Sequence, residues 1–335
     1  MKQRPYHQQG VAMLTAMLIV ALAVVVVTSI FVQQRYSIRL NHNIQDMEQA
    51  YQYAYAAEKM AGAWLEKDQK ETTDGKYDSL HDLWAQKLEP FEIDDDNGQA
   101  IGELQTHIED MQAFFNVNNV YNAKDKKPRE SMMKVFQQVL QDAAVPVSYA
   151  HSVLDWIDPD ELMSDADSAE SDYYLSEDPA YRAGNAFLVD PSELRLIKMG
   201  SISDPKEKQP LLDALLPLVA TLPTPTALNV NTATPETLAA IGLSSQQVSA
   251  LMDLRKAGPI KDKTGFTSVV QGVPAEVTAL LGVSSNYFRL SGQVKLGKSR
   301  LFLNSVLFRS PEGKVHVIMR QFTRSPKPAE PEKTG

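Results

Sequence analysis

The chain has 335 residues and a formal net charge of −9, from 42 acidic against 33 basic side chains, which argues against broad phosphate binding and against nucleic acid as a main partner. It contains no cysteine, so disulfides, a thiol nucleophile and cysteine-based metal sites are excluded together. Beyond an N-terminal anchor, enough sequence remains for two or three domains.

Val11 to Val32, VAMLTAMLIVALAVVVVTSIFV, is uncharged and apolar. At about 1.5 Å per residue, a helix of this length crosses a hydrocarbon core of about 30 Å. Lys2 and Arg4 precede it, and basic residues held on the cytoplasmic side send everything after Val32 across the membrane, with Arg35 and Arg39 opposing. A cleaved secretory signal has a shorter apolar core and a small-residue site behind it, whereas TSIFVQQR follows here. Leu40, Ile44, Met47, Tyr51, Ala54, Ala61 and Leu65 then recur at helical spacing, with Glu58 in the one polar slot. This predicts one helix from about Val11 to Glu66, against the alternative of an anchor followed by a separate helix.

Residues 67–90 are charged and mixed, and Leu80, Leu83, Trp84 and Leu88 suggest a short amphipathic helix. Asp94 to Gly98, DDDNG, reads as a hairpin turn, because Asn-Gly tolerates positive φ. In the following stretch Phe115, Val117 and Val120 alternate with asparagines, which suggests strand leading into loop. FNVNN at Phe115 to Asn119 recurs in part as LNVNT at Leu228 to Thr232, too weakly for a repeat array. A basic linker precedes a helix over Glu130 to Asp142, and another runs from Ser148 to Ile157. Further on, Asp190 or Pro191 opens a helix, residues 211–220 read as helical, and Pro223 and Pro225 mark a linker. TPETLAAI from Thr234 and SSQQVSALMDLRKAGP from Ser244 form two short helices joined by IGL, similar to a helix-hairpin-helix. From Asn286 three alternating segments separated by glycine-containing turns predict an antiparallel meander, and the tail is too polar and proline-rich to fold.

Catalytic chemistry finds little support. The six histidines show no paired metal-ligand spacing, and neither a nucleophile elbow nor a P-loop is present. The most acidic segment, Asp155 to Tyr174, leaves two readings open. It is either a solvated loop or a hard-cation site drawing on Asp155, Asp158, Asp160, Glu170 and Asp172, although the spacing is not that of an EF-hand. The helix-hairpin-helix-like turn Gly242-Leu243-Ser244 lacks the second glycine of DNA-gripping modules, but Arg255, Lys256, Lys261 and Lys263 lie nearby.

The leader MKQRPYHQQG ends in Gly10 directly before the apolar run, an arrangement that resembles type IV pilin-like precursors. The resemblance implies that a prepilin peptidase cuts after Gly10 and methylates Val11. Most such subunits carry a glutamate at the fifth mature position, where this chain has Thr15. A carboxylate in the bilayer needs a partner, supplied in that family by a neighbouring subunit's N-terminal ammonium. The branch known for lacking it is the K-type minor pseudopilin family of type II secretion. FNVNN, WIDPD, AESDYY, AYRAGN, ELRL, LNVNTATPE and SNYFRL occur here in an order similar to that family's.

Membership would imply an α+β fold: a long N-terminal transmembrane helix continuing into a pilin-like antiparallel sheet domain, with a large, mostly helical inserted domain. The corresponding boundaries are leader 1–10, membrane and filament helix 11–32, periplasmic helix and first part of the pilin-like domain 33–122, insertion 123–285, closing strands 286–324 and tail 325–335. It would further imply a non-enzymatic subunit of the bacterial inner membrane, single-pass, with its C-terminal domain in the periplasm. Its place would be the pseudopilus tip, and its partners the I- and J-type minor pseudopilins, the secretion assembly platform and prepilin peptidase. Calcium would bind the acidic segment, although SAES stands where the family more often has a Gly-Ala-Glu-Asp run. The competing expectation is an unprocessed single-span periplasmic receptor that binds DNA or an ion.

Overall fold

The structure, a computed structural model, describes residues 9–71 and 76–323. Most of the expected leader and the tail therefore lie outside the described residues. Helix α1, Gln9–Glu71, is one uninterrupted element of 63 residues, about 95 Å long at the standard rise. It passes through Asn41 and Asn43 without a break, so anchor and following helix are one body.

The two halves of α1 differ in what they touch. Every residue from Val11 to Gln45 is exposed, Leu40 and Ile44 of the expected stripe included. From Ala50 onward one face sinks into the protein through Ala50, Ala54, Ala57, Ala61 and Leu65. Small side chains at helical spacing let the helix lie close against a sheet. Glu58 occupies the same face, buried, and accepts from Arg320 Nε at 2.7 Å, from a second Arg320 nitrogen and from Ser305 Oγ at 2.8 Å. Burial pushes this carboxyl up, but the Arg320 and Ser305 donors outweigh it and hold it below the usual glutamate range.

The sheet has five antiparallel strands in chain order: β1 (Phe91–Asp94), β2 (Ala100–Asp110), β3 (Tyr287–Leu296), β4 (Ser299–Arg309) and β5 (Val315–Thr323). The DDDNG turn closes the first hairpin as the sequence predicts, with Asp95 accepting from Asn97 N and Gln99 N at 2.9 Å and Gly98 at φ 75°. Leu104, Ile108, Leu290, Val294, Leu303 and Leu307 face α1 and form its core with the alanine stripe. This is the α+β, pilin-like architecture expected.

The insertion leaves the meander between β2 and β3. Asp110 pairs with Phe288 in register, so the chain departs and returns at adjacent points. Its helices are α2 (Glu130–Asp142), α3 (Tyr149–Ile157), α4 (Ser171–Tyr174), α5 (Pro205–Leu215), α6 (Pro235–Ala240), α7 (Ser245–Ala257), α8 (Thr264–Thr267) and α9 (Ala275–Leu280), with 3-10 turns and short strands among the connections. Its core already takes in Phe115, Val117, Val120 and Tyr121, so the crossing from sheet to insertion falls near Asp110, ahead of residue 122.

Three local expectations are corrected. Over residues 67–90 the end of α1 runs to Glu71, and from residue 76 to 90 the one helical element is a 3-10 turn, Leu83–Ala85, which buries Trp84 but leaves Leu80 and Leu83 exposed. The helix expected over 211–220 starts earlier, at Pro205 behind the Asp204 cap, and gives way to a 3-10 turn at Leu216. In FNVNN the strand expected to lead into loop is only Phe115–Asn116, and the alternation beyond it belongs to a buried 3-10 turn, Val117–Val120. Asn116 accepts from Asn118 N at 3.1 Å and from Leu222 N at 3.1 Å, while Asn118 donates to Leu188 O and Leu222 O. Buried asparagines here satisfy backbone groups that no ladder reaches.

Asp110 stitches the two cores together. Fully buried at the end of β2, it accepts from Gln112 N at 2.8 Å, Asn229 Nδ2 at 3.0 Å, and the hydroxyls of Thr232 and Ser285 at 2.6 Å each. Beside it Arg309 of β4 donates to Asp78, to Asp68 Oδ2 at 3.3 Å and to Ser285 O at 2.8 Å. The insertion is thus held on the sheet by a polar knot as well as by packing.

Candidate metal centre and membrane helix

The acidic loop takes its shape from its two ends. Helix α3 stops at Ile157 because Asp158, placed before Pro159, is forced into an extended conformation. The chain then loops out and re-enters helix at Ser171, with Glu170 extended as its N-cap residue. Trp156, Tyr174 and Tyr181 pack in a cluster, with the Trp156 and Tyr174 rings 5.1 Å apart at right angles. Gly184 belongs to this packing, since a Cβ there would lie 2.8 Å from Trp156 Nε1.

These constraints bring Asp158, Asp160 and Glu170 together, one carboxylate oxygen from each lying within 4.8 Å of the others. Asp158 and Glu170 are buried, and Asp158 Oδ1 and both Glu170 oxygens have no hydrogen-bond partner among the described residues. Burial, then the neighbouring Asp160 and Asp155, pushes the Asp158 carboxyl up to about 7. Burial, followed by Asp155, Asp158, Glu161 and Asp160, pushes Glu170 to about 8. Orphaned buried carboxylate oxygens converging on one point are the donor set that a hard dication satisfies. Calcium fits these residues.

The other two expected ligands sit differently. Asp155 is fully buried, but both its oxygens accept from Ser164 N, at 3.1 and 3.0 Å, so it braces the loop. Asp172 is exposed in the first turn of α4, outside the cluster. Sequence reasoning passed over Glu161, whose Oε1 accepts from Ser171 Oγ and Asn185 Nδ2 at 3.2 Å each. Asn185, at φ 44° and with a buried unpartnered Oδ1, was discernible only as the last letter of AYRAGN. A second acidic group, Asp68, Asp78 and Asp82, differs in that Arg309 already pairs with its first two members.

At the other end of the molecule, Gly10 and Val11 both lie in helical backbone at the start of α1. Thr15 Oγ1 donates to Ala12 O at 3.0 Å, so its hydroxyl is satisfied within the helix. Among the described residues α1 is the one helix long and apolar enough to cross a membrane. In the helix-hairpin-helix-like segment, α6 and α7 meet at Gly242, φ 103°. Arg255 there donates to Ala233 O at 2.6 Å and Lys256 pairs with Asp253 at 3.2 Å, so both cations are engaged by their own chain.

Residues 113–224 match the family model of type II secretion system protein K. A relative bearing that name in Pseudomonas aeruginosa is 33% identical over 322 residues, covering 93% of this chain and 92% of its own length. One from Aeromonas hydrophila is 25% identical, covering 94% of this chain and 97% of its own. A chain of the GspK-GspI-GspJ complex from the enterotoxigenic Escherichia coli type 2 secretion system superposes with a TM-score of 0.68 at 24% identity, over 85% of this chain and 99% of that one, a likeness in fold.

Proposed function

This chain belongs to the type II secretion system protein K family, and from that premise we propose that it caps the tip of the secretion pseudopilus as a membrane-anchored minor pseudopilin. The observation that carries this reading is the division of α1. Its exposed half, Val11 to Gln45, is built to be covered by lipid and by other apolar helices, while its other half bears a sheet and an insertion of roughly half the chain. So large a body crowds neighbours above it in a tight helical stack but is unhindered at the end. Thr15 favours the same place, because it offers no carboxylate to a neighbour's ammonium.

The similar structure holds GspK with GspI and GspJ, which supports minor pseudopilins of those two types as partners here. The role is structural and not enzymatic. α1 anchors the chain in the inner membrane with the folded domain in the periplasm, where the assembly platform handles it after prepilin peptidase has cut between Gly10 and Val11. Calcium held by Asp158, Asp160 and Glu170 neutralises the acidic loop and ties the end of α3 to the start of α4.

N-terminal mass analysis of the membrane-extracted chain tests the processing on which assembly depends. The expected N-terminus is methylated Val11. Quantitative retention of Met1 to Gly10 would point instead to an unprocessed single-span receptor.

A further inference from the structure

Away from the acidic loop's ion cluster, the insertion holds a cavity of about 280 Å³ whose charge runs against that of the molecule. In a chain of net charge −9, three cations and a single carboxylate line it: Arg195, Lys198, Lys208 and Glu177. Lys208, on α5, reaches inward to donate to Arg195 O at 2.7 Å and to Ile197 O, which leaves one of its three N–H groups uncommitted. Burial draws this ammonium down to about 8, with Glu177 opposing. Lys198 Nζ sits 5.0 Å over the Tyr173 ring and donates to Ser168 O at 3.0 Å. The Arg195 guanidinium is exposed and makes no hydrogen bond or ion pair among the described residues.

Three positive groups held mainly by neutral partners are electrostatically unfinished, and an incoming anion would complete them. Tyr173 and Tyr181 form flat apolar walls, with half-exposed Leu196 on the rim. The volume is at the small end for a ligand pocket, which is room for a side chain and not for a cofactor. Even with Glu177 the lining stays net positive, which calls for an anion, and the Tyr173, Tyr181 and Leu196 walls suit a carboxylate carried on a peptide with apolar neighbours better than a free, fully hydrated phosphate. We propose that this cavity receives one aspartate or glutamate side chain of an acidic peptide segment flanked by apolar residues, presented by a partner protein.

The test uses the full-length chain in detergent micelles and two amidated tripeptides, Leu-Glu-Leu and Leu-Gln-Leu, each carrying a neutral dye and followed by fluorescence anisotropy. A charge-assisted hydrogen bond in a half-buried site predicts about ten-fold tighter binding of the glutamate peptide. Arg195→Glu, at an exposed position that leaves the fold intact, weakens it by about five-fold, the upper range for an exposed charge. Glu177→Gln strengthens it, an outcome that a damaged fold would not produce. Binding of neither peptide, equal binding of both, or indifference to Arg195→Glu overturns the proposal. So does displacement by inorganic phosphate at concentrations where acetate has no effect, which would mark an unselective anion site.

Discussion

Asp110 accepts four hydrogen bonds and donates none, and its partners come from both cores: Gln112 N beside it, Ser285 ahead of β3, and Asn229 and Thr232 from the insertion. Burial raises its carboxyl above the ordinary range, yet those donors suit the ionised form. Asp110→Asn conserves shape but turns an N–H₂ toward groups that already donate, leaving buried polar atoms unpaired. The expected cost is about 2–4 kcal/mol, read as a lower thermal midpoint of the full chain in micelles, whereas the same change at exposed Asp96 is neutral. Nothing local in THIEDMQ sets Asp110 apart from Glu109, whereas Glu58 is conspicuous because it breaks an apolar stripe. A buried charge is legible where it interrupts a period, and illegible where its partners lie far away in sequence.

The acidic loop is an element with no period of its own, held by its two ends. Asp158 and Glu170 have folded-state values of about 7 and about 8, above their unfolded values near 4. Without an ion, their contribution to stability is therefore present at low pH and is lost as pH rises through those values. Calcium needs the ionised carboxylates, so its stabilisation grows over the same window, about 2.7 kcal/mol at a hundred-fold excess over its Kd. Adding EGTA to the full chain should lower the thermal midpoint clearly at about pH 8 and little at about pH 5, with calcium restoring it. Asp158→Asn combined with Glu170→Gln should remove that dependence and melt above the wild type in EGTA; no shift on chelation would remove the ion. Elements with a clear period, α1, α2, α7 and the β3–β5 meander, were readable from spacing and caps. FNVNN and residues 67–90 were not, because their side chains answer to backbone groups a hundred residues away or to one buried tryptophan. At the candidate site, the resemblance in WIDPD and AESDYY pointed to the segment, but which carboxylates converge depends on where Pro159 stops α3.

For the molecule as a whole, two features support the proposed place at the end of a filament, and they differ in strength. The absent carboxylate at Thr15 is worth a few kcal/mol at most, because a helix-centre charge costs about that much and its pairing offsets the cost. The bulk of the insertion acts through overlap with whatever subunit would follow, and it is fastened to the sheet at both ends and through Asp110. Volume exclusion by a packed body is not traded for one ion pair. Thr15→Glu should therefore leave the subunit at the tip even though it restores the usual pairing group. Because the chain has no cysteine, Asp96→Cys in the exposed β1–β2 turn provides a unique thiol for gold labelling. Electron microscopy of assembled filaments should show the label at one end with Thr15 or with glutamate in its place. Label spread along the shaft in the Thr15→Glu variant would mean that the charge, and not the bulk, decides the position, and the argument from size would fall.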